Sequence, residues 1–189
     1  TSKVKVPLKT VPRFQKEASG IALQMSQFSV DELERLLRVN AKIAVEIQAL
    51  SGFHAEGTPE LPALLAYTGI VFKRLNAKDF SKVEFEYAQE HLRLTSFCYG
   101  LLRPLDVIRS YRLEGDVVLP ELGNQTMFSY WQSRLTDVFI EDIKKAGGIL
   151  CNLASDEMKS LFDWKRVGKK RCMSSLPNFK YGRMENWLR

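Results

Sequence analysis

A glycine turn between two helical patterns is the feature that most limits how this chain can fold. Residues Tyr87–Glu114 place helix-favouring side chains on both sides of the turn Ser96-Phe97-Cys98-Tyr99-Gly100, and Pro104 suits the first turn of a second helix. The pattern predicts a helix-hairpin-helix in which the chain reverses direction at Gly100. The same segment has four arginines and no lysine. Because a guanidinium holds phosphates and carboxylates in a fixed orientation, these arginines are the first candidates for binding.

Two capping boxes predict where helices begin. Ser29 with Glu32, and Ser81 with Glu84, have the Ser-x-x-Glu spacing in which each side chain satisfies a backbone N–H of the other. Apolar residues follow Ser29 at helical spacing as far as a stop at Ser51-Gly52, and they are Leu33, Leu36, Leu37, Ala44 and Ile47. The second box begins the first helix of the predicted hairpin, which includes Ala88 and Leu92.

The remaining patterns predict short strands between helices. Thr1–Phe14 is expected to be extended, and Val117–Leu119 is a short strand candidate. A helix from Thr126 to a stop at Gly147-Gly148 precedes Ile149–Ala154, which has the composition of a buried strand. Ser155 can cap the helix that follows. We therefore predict an α+β fold, in a single compact domain of mixed short strands and several helices.

Chain length and composition are those of a folded domain. Of 189 residues, 45% are apolar, which is enough for a core. No stretch reaches the roughly 18 apolar residues needed to cross a bilayer, and we expect a cytoplasmic location without membrane contact. The three cysteines, Cys98, Cys151 and Cys172, are far apart and do not predict a disulfide framework.

Positive charge is concentrated at the C-terminal end. Residues 1–158 carry 19 Lys and Arg against 20 Asp and Glu, whereas residues 159–189 carry 9 against 2. Lys3, Lys5 and further cations also make the first residues basic. Such ends suit phosphate contacts, although a solvated basic tail is an equal alternative. We divide the chain into a domain at 1–164 and a basic segment at 165–189, whose structure the sequence does not predict.

Catalytic motifs are missing from the sequence. It has no Gly-rich phosphate loop, dinucleotide fingerprint or serine nucleophile elbow. The two histidines, His54 and His91, have no partner at metal-ligand spacing. Enzymatic activity is therefore not predicted, and no cofactor is indicated by the residues alone.

The predicted hairpin gives one functional hypothesis. Its turn could present backbone N–H groups to a phosphate, while Arg93 and Arg103 supply positive charge. Binding of this kind would be largely independent of nucleic-acid sequence. The alternative is an ordinary structural turn in which Gly100 permits the reversal and both arginines are solvated.

A second group of residues gives a different hypothesis. Arg109–Glu114 and Asn152–Glu157 could meet where a strand ends and a helix begins, a common position for ligand binding. Such a pocket would serve an enzyme or a small-molecule-binding domain, in which Arg112 orients an anion. A structural ion pair from Arg112 to Asp156 or Glu157 is the alternative. Direct iron binding stays open too, with oxygen donors but no convincing ligand spacing at Asp106, Glu114, Asp156 and Glu157.

Several specific blocks occur in a fixed order along the chain. They are Tyr67-Thr68-Gly69, Ala88-Gln89 with His91-Leu92-Arg93, Tyr99-Gly100-Leu101-Leu102-Arg103-Pro104-Leu105-Asp106, Tyr111-Arg112-Leu113-Glu114, and Asn152-Leu153-Ala154-Ser155 with Glu157. In these blocks the chain resembles the YaaA family of bacterial peroxide-stress proteins. The resemblance extends from about Pro7 to Trp164.

The resemblance implies a fold, a partner and a set of sites. It implies a compact α+β domain with a helix-hairpin-helix that binds DNA without much sequence preference and limits damage by peroxide and intracellular iron. Carried onto this chain, the expected DNA contacts are Arg93, Ser96, Tyr99, Gly100 and Arg103. The expected pocket residues are Tyr111, Arg112, Glu114, Asn152 and Ser155. The oligomeric state is not implied.

The chain also departs from the family pattern. Family members begin with a short strand and a Ser-Pro-Ala-Lys-Thr motif, whereas this chain opens at Thr1, and Leu176–Arg189 does not match their usual C-terminal segment. We therefore expect an N-terminally incomplete domain. Many members have a second glycine in the hairpin turn, where this chain has Phe97.

Overall fold

The computed structural model describes residues 6–51 and 59–169. Some of the predictions concern residues outside these ranges, namely Lys3, Lys5, the Gly52 stop, His54 and the tail beyond residue 169. In the described part, helices alternate with short strands that form two-stranded antiparallel sheets. The predicted α+β class is confirmed. No helix in these two ranges is long and apolar enough to cross a membrane.

Three helices form the N-terminal part of the domain. They are α1 (Gln15–Gln27), α2 (Val30–Leu37) and α3 (Ala41–Ser51). The capping box predicted at Ser29 is present, with both reciprocal hydrogen bonds. The single helix predicted after it is wrong, because Arg38 adopts a left-handed conformation (φ 53°, ψ 46°) that ends α2. The sequence pattern also missed α1, whose buried side is made by Ala18, Ile21, Ala22 and Met25.

The central part begins with a short strand and three helices. These are β1 (Leu61–Pro62), α4 (Ala63–Ala66), α5 (Ile70–Leu75) and α6 (Lys82–His91). The second predicted capping box, at Ser81 and Glu84, is confirmed at the start of α6. Strand β1 pairs with β4 (Val107–Ile108) further along the chain.

The glycine turn lies in a β-hairpin instead of a helical hairpin. Strands β2 (Leu94–Ser96) and β3 (Gly100–Leu102) are antiparallel, with Ser96 opposite Gly100. The helix expected near Pro104 is absent from this described segment, since the chain continues as turn and strand to β4. The helix-hairpin-helix prediction is therefore wrong for these residues. Alternating buried residues in β2 and Gly100 at φ 70° favour the hairpin.

The C-terminal part is built on one long helix. After β5 (Val118–Leu119) and β6 (Gln125–Thr126), helix α7 runs from Met127 to Lys145. The helix predicted from Thr126 is confirmed, and the Thr126 side chain caps it by accepting from Ser129 N–H. The buried strand predicted at Ile149–Ala154 is wrong, because the segment is largely exposed and forms no strand. Helix α8 (Asp156–Lys159) follows Ser155, whose side chain makes no capping hydrogen bond.

A final helix extends the packed domain. Helix α9 (Trp164–Lys169) crosses the boundary expected after residue 164, and Val167 on this helix is buried in the main core. That core joins α1, α2, α3, the hairpin and α7 around Trp131. A smaller cluster under α6 contains Leu64, Ala77, Phe85 and Leu105. Together these clusters fix α6, the hairpin and α7 relative to one another.

Candidate functional site

The segment before α1 binds the rest of the domain through two buried carboxylates. Thr10 forms a parallel β-bridge with Asp106, in which Thr10 N–H donates to the Leu105 carbonyl (2.9 Å) and Val107 N–H donates to the Thr10 carbonyl (2.8 Å). Three residues later, Arg13 reaches Asp142 on α7. The two aspartates therefore hold the two ends of residues 10–13.

Asp106 is the more deeply buried carboxylate. It is fully inaccessible to solvent, and its oxygens accept hydrogen bonds from Thr10 Oγ1 (2.6 Å), Arg103 Nη2 (2.8 Å) and the Arg103 backbone N–H (2.8 Å). Arg103 Nη2 also donates to the Val11 carbonyl at 3.2 Å. A buried carboxylate requires such partners because desolvation without them is costly. Arg103 is thus held in one orientation.

Asp142 joins α7 to the segment just after α6, through Arg93, and to the N-terminal segment, through Arg13. Arg93 Nε donates to Asp142 Oδ2 at 2.7 Å, and Arg13 Nη2 donates to Oδ1 at 3.2 Å. Burial alone would raise the pKa of this carboxyl group, but the hydrogen bonds and charges of Arg93 and Arg13 outweigh it and hold the pKa below its ordinary value. Asp142 is therefore ionised at neutral pH and fixes both guanidinium groups.

A glutamine links the two carboxylate sites. Gln89 Nε2 donates to Thr10 Oγ1 at 3.2 Å, while Gln89 Oε1 accepts from Leu105 N–H at 2.8 Å. Four residues later on the chain, Arg93 Nη1 donates to the Gln89 carbonyl at 3.1 Å. Arg93 and Arg103 thus belong to one hydrogen-bonded network, although they were predicted to flank an exposed turn.

In each of these ion pairs the cation is the partner that faces solvent. The exposed fractions of the arginine and aspartate side chains are 39% and 7% for Arg13 with Asp142, 19% and 7% for Arg93 with Asp142, and 35% and 0% for Arg103 with Asp106. Lys145 lies beside Asp142 in a depression of about 260 Å³ lined by Glu90, His91, Arg93, Asp142, Lys145 and Ala146. We call Arg13, Arg93, Arg103 and Lys145 the basic face.

The other DNA contacts predicted from the sequence are buried. Ser96 and Tyr99 are almost inaccessible, and Gly100 packs against Trp131. The amides of Cys98 and Tyr99 donate to Ser96 Oγ, at 3.2 and 2.8 Å, so the turn satisfies its own donors. The prediction that this turn presents its amides to a phosphate is therefore wrong. The main core contains the side chains of Phe97, Cys98 and Tyr99, so the turn faces the interior of the domain.

Tyr111, one of the predicted pocket residues, belongs to a buried cluster of hydroxyl groups. Its phenol oxygen lies 3.0 Å from that of Tyr67 and 2.7 Å from Ser96 Oγ. Burial raises the pKa of both Tyr67 and Tyr111, so both phenols keep their protons at neutral pH. Burial also raises the pKa of the neighbouring Cys98 thiol. These groups hold the hairpin against the β4 side of the domain.

The other predicted pocket residues are not joined into one site by the contacts of the described residues. Arg112 Nε lies 3.6 Å from Glu114 Oε1, and both side chains are partly exposed. Asn152 Oδ1 accepts from Ala154 N–H within its own loop. Asp156 pairs with Lys159 at 2.5 Å rather than with Arg112. Within residues 6–51 and 59–169, no group of three or more His, Cys, Asp or Glu side chains is arranged to hold a metal ion.

Sequence reasoning missed the residues that hold the network together, which are Thr10, Arg13, Gln89 and Asp142. Asp142 carried a usable signal. It lies between Phe139 and Ile143 on the buried side of α7. A carboxylate at a core-facing position predicts a cationic partner, because an unpaired buried charge is strongly destabilising.

Comparison with known proteins identifies the family of this α+β domain. The family model described as peroxide stress protein YaaA matches residues 1–186. The chain belongs to this family.

Curated relatives carry the name UPF0246 protein. A Bacteroides thetaiotaomicron relative is 86% identical over 167 residues, which cover 88% of this chain and 65% of the relative. A Bacteroides fragilis relative is 73% identical over 170 residues, covering 89% and 66%. One from Crocosphaera subtropica is 32% identical over 199 residues, covering 97% and 79%. The chain thus spans slightly less than two thirds of the length of the two Bacteroides relatives.

Proposed function

We propose that this peroxide stress protein binds DNA through the phosphate backbone, with the basic face as the contact surface. The observation that carries the proposal is that the arginines of this face are more exposed than the aspartates that hold them. A phosphate approaching the face meets guanidinium groups first, while the carboxylates lie behind them. The local field therefore favours an anion, even though each arginine already has a partner.

The buried carboxylates also fix the direction of the cations. Asp106 and Asp142 orient Arg103, Arg93 and Arg13 before any ligand arrives, so less side-chain freedom is lost on binding. Each guanidinium has five N–H donors, and its contact with one carboxylate leaves others for a phosphate oxygen. Lys145 adds a charge at the edge of the same depression.

Binding of this kind is independent of base sequence. Phosphate contacts position a protein on DNA without identifying bases, and they make affinity depend steeply on salt. Limitation of iron-dependent damage would then follow from covering DNA, because a bound protein shields the backbone from oxidants formed nearby. Direct iron coordination is not needed for this role.

The pocket hypothesis has less support from the geometry. Arg112 and Glu114 pair with each other, and the Tyr111 hydroxyl is hydrogen-bonded to Tyr67 and Ser96. Asn152 forms a hydrogen bond within its own loop. A small-molecule site needs polar groups that converge on a cavity. The basic face meets the requirement for its ligand more closely, since Arg13 and Arg93 share Asp142 and Arg93 lines the same depression as Lys145.

The test is a DNA titration followed by fluorescence anisotropy. Two labelled duplexes of unrelated sequence are titrated with the protein at several salt concentrations, and Lys145→Gln is compared with Lys42→Gln on α3, which removes the same charge from another exposed site. We expect equal affinity for both duplexes, a steep loss with salt, and a salt slope reduced by about 1 only in Lys145→Gln. Equal effects of the two substitutions would reject the basic face as the contact surface.

Protection of DNA is tested separately. Supercoiled plasmid is exposed to ferrous iron and peroxide with the protein at a concentration near its dissociation constant for DNA, and strand breaks are counted on gels. Fewer breaks with the unsubstituted protein than with Lys145→Gln at the same concentration would support shielding. Equal protection by the two proteins at this concentration, despite different occupancy of the DNA, would show that the protection does not come from DNA contact.

A further inference from the structure

An exposed stripe on α6 leads into the basic face. Val83, Tyr87 and His91 occur four residues apart, so they lie on the same side of the helix. Val83 is 72% exposed and Tyr87 is 65% exposed. We call these three residues the stacking stripe. Its last member, His91, also lines the depression that contains Arg93 and Lys145.

The geometry of Tyr87 leaves one face of its ring open. The rings of Tyr87 and His91 are stacked, with centroids 4.1 Å apart and planes 16° from parallel. His91 is itself fixed, because its Nδ1 lies 2.9 Å from the Tyr87 carbonyl. Although the histidine covers one face of the tyrosine, most of the side chain remains in contact with solvent. A flat, rigid aromatic surface is thus available to a second flat group.

We propose that Tyr87 stacks on an unpaired base of a DNA strand whose phosphates lie on the basic face. This inference rests on the proposed DNA binding and names the form of DNA that the face prefers. Proteins that bind single strands combine a cationic track for the backbone with aromatic side chains on which bases stack. The stacking stripe and the depression beside Arg93 and Lys145 supply both parts next to each other.

The charges around the stripe agree with a base, not a phosphate, at Tyr87. Glu86 precedes Tyr87 and pairs with Lys82 at 3.7 Å, while Glu90, three residues after Tyr87, is one of the residues that line the depression. These carboxylates repel a phosphate from the stripe itself. Uncharged nucleobases are not repelled in this way, so the backbone is directed toward Arg93 and Lys145. A fully paired duplex keeps its bases inside the stack and cannot use Tyr87.

The test uses three labelled DNA probes of the same length. One is a perfect duplex, the second has a central bubble of three mismatched pairs, and the third has the same bubble with abasic sites in place of the unpaired bases on one strand. We expect the bubble with bases to bind about tenfold more tightly than the abasic bubble, since stacking on one aromatic side chain is worth this order of effect. Tyr87→Ala should remove that preference, and Tyr87→Phe should keep it.

Val45→Ala on α3 is the matched control, because Val45 is an exposed valine outside the stacking stripe, and it should leave the preference within about twofold. A 2-aminopurine placed in the bubble should lose fluorescence on binding to the unsubstituted protein and to Tyr87→Phe, but not to Tyr87→Ala.

Equal affinity of the unsubstituted protein for the two bubbles, or an equal loss of affinity for all three probes in Tyr87→Ala, would overturn the inference. If none of the probes binds, the proposed DNA binding itself fails. If all bind equally with steep salt dependence, only the stacking inference fails.

Discussion

The hairpin of β2 and β3 and the basic face contain neighbouring residues of the chain but have opposite relations to solvent. The hairpin turn has buried aromatic side chains and satisfies its own amides through Ser96. The basic face has buried carboxylates and partly exposed cations. Burial of apolar groups stabilises the first region, whereas burial of one partner of each ion pair organises the second. Only the second arrangement leaves donors available for a ligand.

The largest change in stability is expected from a substitution that removes one of the carboxylates supporting the basic face. Asp106→Ala removes the acceptor of Arg103 and Thr10, and we expect the free energy of unfolding to fall by about 3–5 kcal/mol, since several donors lose one fully buried acceptor. Urea denaturation followed by circular dichroism measures the change. Asp116→Ala is the control, because its pair with Arg38 is largely exposed and should matter by less than about 1 kcal/mol. Equal effects of the two variants would show that burial of Asp106 is unimportant.

A second prediction concerns the hairpin. A Cβ added at Gly100 would lie 2.7 Å from Trp131 Cζ3, and the residue has a positive φ of 70°. We expect Gly100→Ala to lower the free energy of unfolding by about 3 kcal/mol, from both the clash and the backbone strain. Gly147 has a φ of 93° but nothing within 4 Å of its added Cβ, so Gly147→Ala should cost only about 1 kcal/mol. If the two substitutions proved equally costly, the turn would not be packed as tightly as described.

The pH dependence of stability sharpens the account of Asp142. Its pKa is lower in the folded protein than the ordinary value of 3.8, so it binds fewer protons when folded than when unfolded. The ionised group therefore contributes stability above its unfolded pKa, and this contribution is lost as pH falls through the folded pKa. We expect the stability difference between the unsubstituted protein and Asp142→Asn to be largest at neutral pH and to disappear in acid. Denaturation at a series of pH values measures it, and a constant difference would contradict the pairing.

The smallest effect expected among the substitutions is on DNA affinity. Lys145→Gln removes one charge from the edge of the basic face, and we expect the affinity to fall by a few fold at low salt, with unchanged stability. Anisotropy titration measures the affinity, and thermal unfolding checks that the fold is kept. A loss of stability together with affinity would mean that Lys145 supports the fold, contrary to the geometry.

The comparison also explains which structural features the sequence could predict. Both capping boxes and the start of α7 depend on contacts between residues close in the chain, so their spacing is visible in the sequence. The strand-like segment at Ile149–Ala154 and the turn at Gly100 depend on what lies against them. A glycine turn has the same local sequence signal whether its neighbours are buried or exposed. In this chain the packing of Gly100 against Trp131 determines that the turn is buried.

In the candidate site, too, local features could be predicted from the sequence and long-range contacts could not. Arg93 and Arg103 could be selected from the sequence because arginines suit phosphates, and Asp106 lies only three residues from Arg103. The contacts between distant parts of the chain could not be paired from the sequence. Asp142 is 49 residues from Arg93 along the chain, and Arg103 Nη2 reaches back 92 residues to the Val11 carbonyl. Pairs so far apart leave no periodic pattern. The family resemblance supplied the class of protein, which was confirmed, whereas the network of contacts required the folded chain.

The salt dependence of duplex binding tests the central claim most directly. The claim is that oriented, partly exposed arginines and Lys145 hold phosphates. A labelled duplex is titrated at salt concentrations from about 50 to 200 mM, and the logarithm of affinity is plotted against the logarithm of salt concentration. The account predicts a steep linear decline, with a slope of about −3 to −4 if each of the four cations meets a phosphate, and a slope shallower by about 1 in Lys145→Gln. An affinity that does not change with salt would contradict it.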